Sequence, residues 1–292
     1  MLIEKNGVYK FLDEAPLKRF HFKTVLLSSF AYGLTGMNVM LIAPLASPIA
    51  REWNLSINEI GYLLSIGYFG MFIGALFFGK LADVVGRKKI LVVTLLLGAV
   101  FTMLCGLSQS LYTFYIRVYI LRFIAGLGLG GALPLPGVYV SEYIPVKHRG
   151  LFLGLVETSW VYGAMLSLLI PYFALPIFGW RGTFLIALAP IPLVPLIILS
   201  LPESIRYLVE KSKLKEAQRV ITEIVGSHVK INLAKESSEV KELEYFFKDL
   251  FSRKYAKRTF LLFVLWGSLI YTYHGIFLWL PTIYAKRFNL KM

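Results

Sequence analysis

One cysteine, Cys105, is all that the 292 residues contain, and it lies inside an apolar run. That excludes a disulfide framework and a Cys-based metal site. Histidine is scarce too, with 4 in the chain, and no pair stands at zinc-ligand spacing. No Walker-type phosphate loop and no nucleophile elbow occurs, so no cofactor, no metal and no enzymatic activity are expected. Acid is the other shortage: 17 Asp and Glu stand against 31 Lys and Arg, a formal net charge of +14. A basic excess of that size suits a nucleic-acid partner only if a water-exposed domain carries the patch. Here the basic residues collect between apolar runs, and no nucleic-acid partner is expected. The N-terminus carries Lys5, Lys10, Lys18 and Arg19 with Asp13 and Glu14, and no small-residue cleavage site follows. A removable signal peptide is therefore not expected.

What the chain has in quantity is apolar surface. With 57% hydrophobic residues and a mean hydropathy of +0.66, it holds more than one soluble core of this size can bury. Seven runs reach the ~20 residues that a membrane span requires, near 24–48, 60–78, 90–108, 112–137, 151–175, 182–200 and 259–281. Up to the sixth run, Lys and Arg concentrate in 1–23, 79–89 and 141–150, while only Arg51 and Arg181 fall in the alternate segments. The positive-inside rule then places the N-terminus in the cytoplasm and, with seven spans, the C-terminus outside. The expected organisation is a six-span bundle over 1–201, a cytoplasmic helical loop over 202–258 and one further span in 259–292. Within that loop, Leu208, Leu214, Ala217, Val220, Ile221 and Ile224 recur at helical spacing among charges, which predicts amphipathic helices over 204–225.

Between the second and third runs stands G-K-L-A-D-V-V-G-R-K-K, Gly79 to Lys89. Gly79 lets a helix end close to a neighbour, Asp83 and Arg87 stand four apart and can pair, and Gly86 permits a tight bend. The second span carries Gly67, Gly70 and Gly74, whose spacing places small residues on one face for close backbone contact. The fourth carries Gly126, Gly128, Gly130 and Gly131, superficially a dinucleotide fingerprint. That reading fails inside a membrane span, since the fingerprint needs a strand before it and a helix start after it. Pro134 and Pro136 should then break the regular helix.

The Gly79–Lys89 stretch resembles the loop between spans 2 and 3 of major facilitator superfamily transporters, where Gly-x-Leu-Ala-Asp-x-x-Gly-Arg-Lys is the signature. Arg122 with the three alternating glycines after it, and Tyr139-x-x-Glu142-x-x-Pro145-x-x-x-Arg149-Gly150, resemble the fourth-span region of the sugar-porter branch and its organic-acid relatives. Pro202-Glu203-Ser204 with Arg206 resembles that branch's motif after span 6. The resemblance implies an all-α polytopic membrane protein with the superfamily's six-helix N-terminal bundle and one span of its C-terminal bundle. Complete transporters of that family have five more spans, so the chain is expected to be truncated after the seventh.

Ionisable groups inside a span are costly and are functional candidates by default. Arg117 lies close enough to the span's end to snorkel. Arg122 is deeper and matches the family arginine that lines the central cavity. Glu157, the acidic residue within a span, matches a substrate-facing position of sugar porters and suits a group that gains and loses a proton during transport. Where proton-coupled relatives carry an aspartate in span 1, this chain has Thr35 and Asn38, which can still hydrogen-bond a solute. His274 in the seventh span is a further candidate, with packing against a neighbouring helix as its plain alternative. Asp83, Arg87, Glu142, Arg149, Glu203 and Arg206, with Gly79 and Gly86, are expected to form a cytoplasmic gate network.

The function these observations imply is secondary active, ion-coupled transport of a small polar solute, an organic anion or a sugar, in the cell membrane. Solute and membrane lipid are the expected partners. The alternative is a non-transporting fragment or a subunit that needs a second chain for the missing spans.

Overall fold

The computed structural model describes residues 2–3, 12–13, 15–108, 111–225, 230–231, 250–276, 283 and 287, with side chains for all of these except 2–3, 111–116, 225 and 230–231. Parts of the expected loop (226–229 and 232–249) and the end of the seventh run, Trp279 included, lie outside the described residues. The chain divides into two compact units, Met1–Asn232 and Leu233–Met292.

The first unit is helical. Its helices are α1 (Arg19–Met40), α2 (Ile42–Trp53), α3 (Ile57–Val85), α4 (Arg87–Leu104), α5 (Leu111–Ala132), α6 (Pro134–Tyr143), α7 (Val146–Thr183), α8 (Leu193–Ser200), α9 (Ile205–Glu210) and α10 (Leu214–Val225). Two dipeptides, β1 (Leu2–Ile3) and β2 (Lys230–Ile231), pair in parallel. In the second unit, α11 (Ala256–His274) is 19 residues long. This is the all-α, polytopic architecture expected from the hydropathy.

Among the described residues, five helical stretches are long and apolar enough to cross a membrane: Arg19–Trp53, Ile57–Val85, Arg87–Leu107, Arg117–Tyr143 and Val146–Ser200. The last is 55 residues long, ~80 Å at 1.5 Å per residue against ~30 Å of hydrocarbon, so it cannot be one crossing. Gly179 interrupts it at φ +62°, a left-handed conformation that glycine adopts without penalty, and a 3-10 segment at Phe184–Leu188 follows. The expected fifth and sixth spans are therefore the two sides of that break.

Local chemistry explains the other boundaries. Asn54, left-handed at φ 51°, ends α2. Two residues on, Ser56 accepts from the Glu59 N–H while Glu59 accepts from the Ser56 N–H at 2.6 Å, a reciprocal cap that starts α3. The expectation for Gly79 is corrected here: α3 runs through Gly79 to Val85, and a Cβ at Gly79 would meet nothing within 4 Å among the described residues. The break comes at Gly86, φ +119°, so the stretch is mostly the end of a helix and not a loop. A single turn residue, Leu133, parts α5 from α6, where Pro134 begins the new helix at a position that needs no N–H.

Glycine governs how the spans meet. Cβ atoms at Gly70 and Gly74 of α3 would run into the Phe123 and Leu127 carbonyl oxygens of α5, and those at Gly126 and Gly130 into the Gly67 and Met71 carbonyls of α3. Of the other glycines of α5, Gly128 turns to the Gly98 backbone of α4, and Gly131 lies between Phe78 of α3 and Thr94 of α4. The apparent fingerprint is thus two packing faces on one helix. A similar contact joins α1 and α7, where Gly33 and Gly163 stand backbone to backbone.

At one end of the bundle, Leu208, Ala217, Val220, Ile221 and Ile224 of α9 and α10 enter the same core as Phe20, Leu91 and Tyr143. The amphipathic segment therefore belongs to the first unit, its apolar face covered by the ends of the spans. Gly130→Ala is expected to lower the melting temperature of the purified protein, at about 1–3 kcal/mol for forcing a methyl against backbone. Gly79→Ala, in open space on a helix, should leave the melting temperature unchanged or raise it, for a gain in stability of about 0.5–1 kcal/mol.

Candidate functional site

Arg122, on α5, is 3% exposed. Its guanidinium lies against Gly67 of α3, where a Cβ would stand 3.0 Å from Nη2. Nε and Nη1 have no hydrogen-bond partner among the described residues. Cys105 at the end of α4 and Tyr68 on α3 are the groups within electrostatic reach. Arg117, by contrast, is exposed. The interior thus holds a cation with donors to spare, and Gly67 makes the room for it, a role that its spacing with Gly70 and Gly74 did not reveal.

The other interior candidates take different positions. Tyr32 of α1 donates to Glu157 Oε2 of α7 at 2.7 Å, and the Tyr32 and Trp160 rings stand 5.9 Å apart. Glu157 is exposed in the helix bundle, so it stands at a surface and not in the packed interior. Thr35 is buried and donates to the Ala31 carbonyl of its own helix at 2.7 Å, so its hydroxyl proton, expected to be open to a solute, is already engaged. Asn38 is buried, donates from Nδ2 to the Ala187 carbonyl at 3.0 Å, and leaves Oδ1 without a partner among the described residues. It therefore ties α1 to the 3-10 segment before α8. His274 lies in the second unit, with Nδ1 3.1 Å from the Ile270 carbonyl of its own helix.

The charged residues around Gly86 assemble most fully. Arg87 pairs with Asp83 at 3.1 Å and with Glu142 of α6. The side chains of Arg87 and Glu142 are 11% and 12% exposed, against 64% for Asp83. Glu142 also accepts from the Ser204 hydroxyl at 2.6 Å. Glu203 accepts from the Lys88 N–H at 2.8 Å and the Ser204 N–H at 3.0 Å, which sets its carboxylate on the positive end of α4. That seat accounts for Gly86, since a Cβ there would run into the carboxylate. Ser204 caps α9 as well, accepting from the Tyr207 N–H at 3.2 Å. Tyr139 donates to the Pro202 carbonyl, and Tyr143 to the Glu203 carbonyl at 2.7 Å.

Two expected members of this network take other partners. Arg149 pairs with Asp13 at 2.5 Å and reaches the Ile144 carbonyl at 3.3 Å. Arg206 pairs with Glu210, one turn along its own helix, at 3.0 Å. Lys88, Ser204, Tyr139 and Tyr143 were not foreseen, although Lys88, Tyr139 and Ser204 stand within the quoted motifs. Also unforeseen is a cluster on the far side of the bundle. Arg181 forms a two-pronged pair with Glu52, at 2.7 and 2.9 Å, donates to the Ser108 carbonyl at 2.9 Å, and stacks 4.2 Å from the Trp180 ring. The Trp180 N–H completes it by donating to Glu52 at 2.7 Å.

Residues 28–292 match the family model of the Major Facilitator Superfamily. The niacin transporter NiaP of Acinetobacter baylyi is 34% identical over 94% of this chain and 62% of its own length. The benzoate transport protein of the same organism is 33% identical over 76% of this chain and 48% of its own length. Its 4-hydroxybenzoate transporter PcaK is 31% identical over 93% and 60%. The chain thus spans about 48–62% of the length of these relatives. Among solved structures, the proton:xylose symporter XylE superposes with a TM-score of 0.63 at 22% identity, covering 70% of this chain and 50% of that one. A bacterial homologue of the lysosomal transporter Spinster covers 94% of this chain and 58% of its own, with a TM-score of 0.61 at 16% identity.

Losing Glu142 leaves Arg87 with the exposed Asp83 as its remaining acidic partner among the described residues. Glu142→Gln should therefore destabilise the protein by about 1.5–3 kcal/mol, the range for a hydrogen bond to a charged group, read as a lower melting temperature in detergent. Arg206→Ala, at an exposed pair, should cost less than about 1 kcal/mol.

Proposed function

This chain belongs to the major facilitator superfamily, and from that premise we propose that it takes part in secondary active transport of a small organic anion bearing a carboxylate. The observation that carries the reading is Arg122. A cation held in a membrane bundle with two donors unpartnered is costly, and a carboxylate that meets those donors offsets the cost. Niacin, benzoate and 4-hydroxybenzoate, named for the relatives, are aromatic acids that would supply such a group. A sugar offers hydroxyls but no countercharge to the guanidinium.

In this reading the first six spans, 1–201, form a bundle with a cytoplasmic N-terminus, the segment 202–258 forms the cytoplasmic loop, and 259–292 begins a second bundle. Glu157, with Tyr32 donating to it, is the group whose protonation couples an ion to the solute. Asn38 and Thr35 hold α1 in place through their carbonyl partners behind the residues that meet the solute. Asp83, Arg87, Glu142 and Glu203, with Gly86 beneath them, hold the cytoplasmic ends of the spans together in one state of the cycle. Arg149 and Arg206 act at the periphery of that gate.

Binding and uptake separate the parts of this proposal. Titration of the purified chain with benzoate and niacin should give an affinity that falls about 10- to 100-fold in Arg122→Gln, the range for losing a charged hydrogen bond. Unchanged affinity would place the carboxylate elsewhere. In proteoliposomes, Glu157→Gln should abolish the pH dependence of uptake with normal insertion, and a retained dependence would remove Glu157 from coupling. Binding without uptake, with uptake restored by a chain that supplies five further spans, would favour a subunit that needs a partner.

A further inference from the structure

The contact between α1 and α7 has two sides of opposite character. On one, Tyr32 and Glu157 form their hydrogen bond. On the other lies a groove of about 640 Å³ walled by Phe22, Leu26 and Phe30 of α1 and by Phe152, Leu155 and Leu166 of α7. Leu155 and Glu157 are two residues apart and so point roughly 200° from each other around the helix. The groove is nearly all apolar, and several of its walls, Phe22, Leu26, Phe30 and Leu155 among them, are exposed.

Charge gathers at one end of this groove. Arg19 stands three residues before Phe22 and seven before Leu26, and Lys23 stands three before Leu26 and seven before Phe30, spacings that set all of them on one helix face. Both basic residues are exposed. On the facing wall, His148 stands four residues before Phe152 and seven before Leu155. Along α1 the lining begins at Phe22 and reaches Gly33 and Leu34. That is ~17 Å at 1.5 Å per residue, close to the ~15 Å of hydrocarbon in one leaflet. A transmembrane helix would need the full thickness, and a second copy of this face would bring Arg19 and Lys23 against their like.

We propose that this groove is a site for an anionic glycerophospholipid, with one acyl chain between α1 and α7 and the phosphate held by Arg19 and Lys23. The shape selects a chain one leaflet deep, and the two cations select the headgroup. The site requires only that the bundle sit in a membrane. It does not depend on the transport reading, and a failure of either leaves the other standing.

Native mass spectrometry of the purified full chain, mixed with phosphatidylglycerol or phosphatidylcholine of identical acyl chains, tests it. Phosphatidylglycerol should bind more tightly. Each basic residue lost should weaken it about fivefold, from ~1 kcal/mol per Lys or Arg near an anionic surface, so that Arg19→Gln with Lys23→Gln weakens it about 25-fold. Lys89→Gln, an exposed basic residue away from the groove, should leave binding unchanged. Leu155→Trp, which fills the groove from an exposed position, should weaken both lipids. Equal binding of the two lipids, an equal loss in Lys89→Gln, or full binding in Leu155→Trp would each overturn the proposal. Helical content by circular dichroism identifies any variant that fails to fold, and a milder pair, Arg19→Gln alone and Phe30→Trp, then reads the same two features.

Discussion

Backbone meeting backbone between α3 and α5 is the contact on which the first unit depends. Helices that pack in a membrane gain little from the hydrophobic effect, so close approach and the dispersion it brings must hold them. Gly70 and Gly74 on one side, Gly126 and Gly130 on the other, let carbonyl oxygens lie where side chains would otherwise stand. Arg122 rides on this contact, four residues before Gly126, with its guanidinium in the space left by Gly67. Packing and a buried charge are therefore not separate features of α5. The helix can carry its arginine inward because the facing helix offers glycine at the right turn.

The second constraint is electrostatic and sits at the opening of α4. A helix start leaves unpaired N–H groups and a partial positive charge. Glu203, far along the chain, answers both by accepting from the Lys88 N–H. Glu142 answers the adjoining Arg87, and Ser204 bridges the two carboxylates by bonding to Glu142 while following Glu203 in sequence. Tyr139 and Tyr143 then fix the Pro202–Glu203 backbone. Three motifs from three parts of the sequence meet in one hydrogen-bonded cluster. Asp83, at the edge of this cluster, is exposed and turned to Arg87.

Polarity also divides the surface of the α1–α7 pair. Glu157 and Tyr32 mark one side, and the apolar groove with its basic mouth marks the other. The same small residues, Gly33 and Gly163, bring the two helices together beneath both. A side with a carboxylate suits solute and water, and a side with phenylalanine and leucine suits acyl chains.

By itself the sequence determined what is local in it. Apolar runs of span length, basic residues between them, and glycines at helical spacing announced a polytopic helical protein, because hydropathy and the 3.6-residue period act on neighbours along the chain. The Asp83–Arg87 pair was legible for the same reason. Tertiary structure decided the rest. That Glu203 would cap α4 across 115 residues, that Arg149 would turn to Asp13, and that Arg181 would bind Glu52 beside Trp180 are pairings between distant segments, fixed only when the helices are set side by side. Gly79 shows the limit from the other direction: its motif marks a family, but only the open space around it tells that no neighbour among the described residues needs it small. Thr35 and Asn38 were read as facing a solute, yet burial gave each a carbonyl as partner, because a buried hydroxyl or amide takes the nearest acceptor that packing provides.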